Sequence, residues 1–258
     1  MHPMLIDRDA VAAFDRDGYL LAEDVLTPAE VAVLRAATDS GRAAEVWDAA
    51  DGAGASSPMS LWSTLGDDVW SAASTCPRIV NPLRMLLGED IAFFHGKIIF
   101  KNAGTAGVVE WHQDYGYWYG QFLQPRLISA WVALDPATRE NGCLEVLRGS
   151  HRLGRLEHRP FNAQSGADPE RLALVRPHFE HVHCEMRPGS VLFFDCNLLH
   201  GSGPNLSARD RRAFIVCYNA CGNPALRPGQ AIDQSPCPVA ADDAIMRRAG
   251  SAQPVGSP

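Results

Sequence analysis

The sequence predicts a mainly β domain with flanking helices, and three observations carry that expectation. From residue 91 onward, short β-rich segments (91–101, 127–134, 143–147, 182–186, 190–195 and 212–218) recur between Gly, Pro and Asn turns. Strands at such spacing argue for an antiparallel sandwich or barrel. Before residue 91 the signals are those of helices. An apolar content of 46% over 258 residues supplies one sizeable core,. The expected organisation is a single domain over 1–258: a helical part about 1–90, a β core about 91–220 and an irregular tail over 221–258.

Asp7 is placed to cap a first helix holding Val11 and Phe14, and Asp17-Gly18 turns the chain into a short strand, Tyr19 to Leu21. Thr27-Pro28-Ala29-Glu30 combines a Thr cap, Pro at the first helical position and Glu at the capping-box position,. That helix runs to about Ser40, with Gly41 as its stop,. Residues 49–58 are small and polar and read as a loop and a candidate lid. A further helix is expected from Pro77 to Leu87, ending at Gly88. Residues 154–180 form a long polar connection, a second candidate lid. The tail is rich in Pro, Gly, Ala and Ser.

Net charge is −7 and no basic stripe is present, which argues against nucleic acid as a partner,. Seven cysteines, an odd number with no Cys-x-x-Cys pair, fit reduced thiols,. Residues 1–25 lack the pattern of a secretory leader, and no apolar run approaches the roughly 18 residues that span a bilayer. The expectation is a soluble, cytoplasmic protein, a monomer or homodimer, whose partner is a small molecule.

Two short stretches carry the chemistry. Trp111-His112-Gln113-Asp114 places an imidazole and a carboxylate two residues apart; on a strand both face the same way,. His200 follows an apolar strand, Val191 to Phe194, and stands at an expected sheet edge before Gly-Ser-Gly-Pro. Two imidazoles and one carboxylate form the ligand set of a non-haem Fe(II) centre with three positions open. Arg211, eleven residues after His200, suggests a dicarboxylic co-substrate, because a guanidinium grips a carboxylate bidentately and keeps its proton,. A rival set, His178, His181 and His183, has no cysteine or carboxylate at a useful spacing,.

These residues, with Trp131-Val132-Ala133-Leu134-Asp135, Asn141-Gly142-Cys143-Leu144-Glu145-Val146, Gly149-Ser150-His151 and Pro188-Gly189 in order, resemble the phytanoyl-CoA dioxygenase family of Fe(II)- and 2-oxoglutarate-dependent oxygenases over roughly residues 9–220. The resemblance implies a double-stranded β-helix, or jelly roll, with helices packed on one sheet. It implies Fe(II) on His112, Asp114 and His200, and 2-oxoglutarate held by Arg211 with Ser202, Lys101 and Trp131. Dioxygen is the second co-substrate. Arg212 competes with Arg211, but adjacent strand residues face opposite ways; the family spacing selects Arg211 and leaves Arg212 exposed. Halogenases of related fold lack the carboxylate ligand, so the presence of Asp114 implies oxygenation.

The expected activity is hydroxylation of an unactivated C–H bond of a small metabolite or natural-product intermediate, with release of succinate and CO2. If Lys101 points inward, strand period brings Lys97 and His95 to the same face as contacts for a substrate anion. Tyr115, Tyr117, Trp118 and Tyr119 follow the iron motif and offer aromatic contacts,. Two other readings are a non-catalytic jelly roll that binds 2-oxoglutarate or a metabolite, and a cupin-like metal-dependent isomerase or hydrolase, which has no use for Arg211.

Overall fold

The computed structural model describes residues 6–40, 47–50, 56–104, 107–162, 164–230 and 232–249. Its strands are β1 (Tyr19–Ala22), β2 (Trp47–Ala50), β3 (Ser56–Trp62), β4 (Ile91–Lys101), β5 (Val109–His112), β6 (Leu127–Ala133), β7 (Leu144–Leu147), β8 (His158–Phe161), β9 (Gln164–Ala167), β10 (His181–Cys184), β11 (Val191–Asp195), β12 (His200–Ser202) and β13 (Arg211–Ala220). The helices are α1 (Arg8–Asp17), α2 (Pro28–Ser40), α3 (Val69–Ser74), α4 (Pro77–Leu87), α5 (Asp114–Trp118), α6 (Pro169–Val175) and α7 (Ala244–Arg247).

The strands form a seven-stranded sheet in the order β1-β11-β6-β13-β4-β3-β2 and a four-stranded sheet in the order β10-β7-β12-β5, all pairs antiparallel. Between the sheets lie Trp131, Leu192, Phe194, Ala213, Ile215, Leu144 and Val146. On the outer face of the large sheet, Val132, Val191, Phe193, Phe214 and Val216 pack with Phe14, Leu34, Trp70, Ile79 and Leu83 of the helices. Strands β6, β11 and β13 are therefore covered on both faces, which is why they read as unbroken apolar runs rather than alternating ones. This is the jelly roll with helices on one sheet.

Local chemistry sets the helical layer. Asp7 accepts from Ala10 N–H at 2.9 Å, and Gly18 closes α1 in the left-handed region at φ 80°. At α2 the capping box is complete: Thr27 N–H donates to Glu30 Oε2 (2.8 Å) and Glu30 N–H to Thr27 Oγ1 (3.3 Å). The same Glu30 carboxylate receives the buried Arg78 guanidinium, at 2.5 and 3.0 Å. α4 ends at Gly88, as expected.

Several expectations need correction. Residues 49–50 and 56–58 belong to β2 and β3, a hairpin that extends the large sheet, while 51–55 lie outside the described residues. Small and polar residues suit that edge because Ser56–Trp62 takes its register from β4, with Met59 opposite Ile99 and Leu61 opposite Lys97. The described residues of the 154–180 connection include β8 paired with β9, α6 and a short 3₁₀ turn, Arg176–His178. The tail carries α7, whose Ile245 is buried against the helical layer. All seven cysteines are free thiols, and among the described residues no helix is long and apolar enough to cross a membrane.

Candidate metal and co-substrate site

His112 is the last residue of β5, and Asp114 is the first of α5. The pair therefore straddles a strand–helix junction instead of lying on one strand. Gln113 between them keeps an extended conformation, which preserves the shared direction of its neighbours. Its buried amide fixes the junction: Nε2 donates to Gly154 O and Asn197 O, and Oε1 accepts from Leu156 N–H. His200 opens β12, an inner strand of the small sheet rather than an edge, and pairs directly with His112. Ser150 supports it, with Oγ accepting from Leu199 N–H at 2.9 Å.

His112, Asp114 and His200 converge. Asp114 Oδ1 lies 3.9 Å from the Nε2 atom of each histidine, and the two imidazole rings are 4.1 Å apart. Each Nδ1 sits against a backbone carbonyl, Glu110 O at 2.7 Å and Leu198 O at 2.9 Å. A proton on Nδ1 donates there and leaves both Nε2 lone pairs turned to the same point. Burial holds both histidines below the ordinary imidazole range, hence neutral. Burial also pushes the Asp114 carboxyl up, but the neighbouring imidazoles, Lys97 and the Ser129 hydroxyl, 2.7 Å from Oδ2, outweigh it and hold the carboxyl below its ordinary range. Two neutral imidazoles and a carboxylate with its second oxygen already satisfied fit a divalent first-row cation with open positions.

A cavity of about 620 Å³ opens from this group, lined by Arg211, Ser202, Trp131, Lys97, Tyr117 and apolar residues of both sheets. Arg211 is buried at 3% exposure, its Nε has no hydrogen-bond partner, and its guanidinium lies 5.2 Å from the Trp131 ring. Burial lowers its pKa to about 10, so it stays charged at neutral pH. An unpartnered buried cation is costly unless an anion completes it; the carboxylate end of 2-oxoglutarate fits that requirement. Arg212 points the other way, to Asp135 and Asp39, and is only 14% exposed along its side chain. The expectation of an exposed Arg212 is corrected: it is ion-paired.

Other expected site residues stand elsewhere. Lys101 is fully buried and donates to the carbonyls of Ser202 and Gly203, so it braces the loop after His200 and is no part of the cavity lining. Close packing there also needs Gly142, because a Cβ at its φ of 72° would fall 2.4 Å from Gly203 O. His95 follows the inward strand period but is sealed between Phe94 and Trp118; burial and Lys97 push it down to about 3. Tyr115 is buried and donates to Phe122 O, and Trp118 packs on Phe94. Of the six substrate candidates, Tyr119 included, only Lys97 and Tyr117 line the cavity. Tyr117 donates to Ser165 O of β9 and faces the His112 ring at 5.2 Å, joining the β8–β9 hairpin to the site.

Residues missed from sequence are Ser57 and Met59 of β3, Gln164 and Ser165 of the hairpin, and Ser129. The first four belong to strands without an apolar signature. Ser129 could have been found: it lies on the Trp131 face of β6, two residues before it.

Comparisons with known proteins agree with this geometry. The ectoine dioxygenase of Sphingopyxis alaskensis is 29% identical over 238 residues, 84% of this chain and 77% of that protein. The crystal structure of EctD from S. alaskensis with 2-oxoglutarate and 5-hydroxyectoine superposes with a TM-score of 0.70 at 28% identity, covering 92% of this chain and 83% of that one. The epimerase SnoN, in complex with Fe3+, alpha ketoglutarate and nogalamycin RO, shares the fold at 21% identity and a TM-score of 0.71, over 91% and 95% of the two chains. Residues 14–213 match the phytanoyl-CoA dioxygenase (PhyH) family. With its paired imidazoles, single carboxylate and buried arginine in one jelly-roll cavity, the chain belongs to that family and is an Fe(II)- and 2-oxoglutarate-dependent dioxygenase.

Proposed function

We infer that this protein hydroxylates a C–H bond of a small anionic metabolite, with His112, Asp114 and His200 holding Fe(II) and Arg211 holding the far carboxylate of 2-oxoglutarate. The observation that carries the reading is the unpartnered, buried guanidinium of Arg211 in the same cavity as the three ligand side chains. Bound there, Fe(II) with 2-oxoglutarate and dioxygen supplies C–H oxidation, with succinate and CO2 as co-products.

The chain's own residues do the positioning. Ser202 lines the cavity two residues beyond His200 and offers a hydroxyl to the same carboxylate; Trp131 forms the wall beside Arg211. Ser129 holds Asp114 so that Oδ1 faces the histidines. Once a divalent ion and 2-oxoglutarate are bound, their charges cancel against Asp114 and Arg211. Lys97 then remains as an uncancelled cation on the cavity wall, and it supports a carboxylate or similar anion on the substrate,. Tyr117 and the β8–β9 hairpin residues Gln164 and Ser165 form a further wall of the cavity, joined by the Tyr117 hydroxyl on Ser165 O. The ectoine dioxygenase relatives support a small-molecule substrate.

The test is succinate formation by the Fe(II)-loaded protein across a panel of small carboxylates headed by ectoine. One member should stimulate succinate release, and His200→Ala should abolish it. Tight 2-oxoglutarate binding with no succinate from any compound points to a non-catalytic binding protein. Full turnover by Arg211→Ala points to a metal-dependent isomerase or hydrolase.

A further inference from the structure

The small sheet that carries His200 holds a second group of metal-binding side chains on its opposite face. Along β7, Leu144 lines the cavity and Val146 is buried between the sheets, so Glu145 points out,. Across from it, β10 presents His181 and His183, two residues apart on that same outer face. The register sets Glu145 opposite His183 and diagonal to His181. Glu145 Oε2 lies 2.7 Å from His181 Nε2 and 3.9 Å from His183 Nε2, and one ligand atom of each residue falls within 4.8 Å of the others. The two imidazoles stack at 4.7 Å. Neither carboxylate beside the pair in sequence joins it, Glu180 pairing with Arg148 and Glu185 accepting from Arg139 N–H; the fold brings Glu145 from 36 residues before His181, while His178 stands apart in the 3₁₀ turn.

We propose that Glu145, His181 and His183 form a second divalent-cation site, suited to Zn2+, distinct from the centre at His112, Asp114 and His200. Two imidazole nitrogens and one carboxylate oxygen are a zinc donor set, and bonds of about 2.0–2.1 Å in tetrahedral arrangement put neighbouring donor atoms about 3.3–3.5 Å apart. The 2.7 Å contact must open and the 3.9 Å contact must close by similar small amounts. Side-chain rotation on a fixed sheet accomplishes both. Water fills the fourth position, since the group is only partly shielded, with side-chain exposures of 17–30%. The neutral His181 ring keeps its single proton on Nδ1 once Nε2 takes the ion. Arg176 Nη2, now 3.4 Å from Nδ1, is on an exposed side chain and can turn away.

The site has a mechanical link to the cavity. The second oxygen of Glu145 accepts from Gly203 N–H at 3.1 Å, and Gly203 O receives Lys101. A cation on the outer face therefore fixes the carboxylate that holds the loop beyond Ser202.

The test reads binding and does not depend on turnover. The intact chain, freed of metal, is dialysed against Zn2+ and, separately, Co2+, whose visible absorption reports its donors. Wild type should bind two ions per chain. His200→Ala and Asp114→Ala should each retain the outer ion alone, and His183→Asn should retain the inner ion alone. Glu145→Gln keeps an acceptor for Gly203 N–H but removes the anionic donor, and should weaken the outer ion by at least the roughly 100-fold that loss of a supporting partner alone can cost. Matching thermal midpoints for the metal-free proteins exclude misfolding as the cause. A wild type that binds one ion, a His183→Asn protein that still binds two, or cavity variants that bind none would overturn the proposal.

Discussion

Arg211 and Arg212 are neighbours on β13 with opposite surroundings. Arg211 enters the cavity with its Nε unpartnered, whereas Arg212 turns outward and forms a two-pronged pair with Asp135, at 2.8 and 3.1 Å. Strand alternation alone produces this division. Arg211→Ala should cost about 2–5 kcal/mol of 2-oxoglutarate binding, at least a roughly 30-fold loss. Arg212→Ala should leave co-substrate affinity near wild type but lower stability by about 1.5–3 kcal/mol, because charged hydrogen bonds to Asp135 are lost. Anaerobic titration of the Fe(II) protein with 2-oxoglutarate, followed by its absorption band, and urea unfolding separate the two effects. The reverse ranking in the titration would place the wrong arginine in the cavity.

Ser129→Ala removes the hydroxyl that holds Asp114 Oδ2. The ligand itself stays, so the expected change is a 10–100-fold weaker hold on Fe(II) with little change in folding stability. Competition with a chromophoric chelator measures it. Unchanged metal affinity would show that packing, not this hydrogen bond, orients the carboxylate.

Glu30 both caps α2 and receives Arg78. Glu30→Ala leaves a buried guanidinium with only Asp242 and backbone carbonyls as partners, and should lower unfolding free energy by about 3–5 kcal/mol. Glu30→Gln, which retains an acceptor for the cap, should lose less. Equal losses in denaturant titrations would mean that shape rather than charge matters at this position.

Asp195 accepts Asn197 N–H at 2.7 Å, yet burial pushes its carboxyl up to about 7 from an ordinary 3.8. In the unfolded chain the group ionises near 3.8, so folding takes up a proton between that pH and about 7. Stability contributed by the protonated form is full below pH 3.8, falls as pH rises through this window, and is gone above about 7. Asp195→Asn should match wild type near pH 4 and exceed it at pH 8 by about 1–4 kcal/mol, the scale of a shift of this size. A variant less stable than wild type at pH 8 contradicts the assignment.

How much of this was legible in sequence depended on how each strand is covered. β4, β6, β11 and β13 announce themselves because both of their faces are buried, so Val191 to Phe194 admits little but a core strand. β12, three residues long, and β5, four long, carry too little pattern; their existence rests on His200 pairing with His112. The three side chains that converge were singled out by residue type, spacing and resemblance, although the local geometry assumed for His112 and Asp114 was a strand and proved to be a junction. Lys101 illustrates the limit of the period-two argument. Facing inward is a property of the backbone, but what an inward ammonium touches depends on a loop 101 and 102 residues away, at Ser202 and Gly203.

The β2–β3 hairpin has a consequence for how such a catalyst diversifies. The ligands and Arg211 rise from the jelly roll and its α5 junction, whereas Ser57, Met59, Gln164 and Ser165 reach the cavity from two hairpins peripheral to that framework. Part of the chamber's wall is thus supplied by segments that carry neither Arg211 nor any of the three converging side chains. Mutations in either hairpin can re-cut the shape of the chamber while the oxidising machinery stays untouched, so one ancestral chemistry can be redirected to new molecules without being rebuilt.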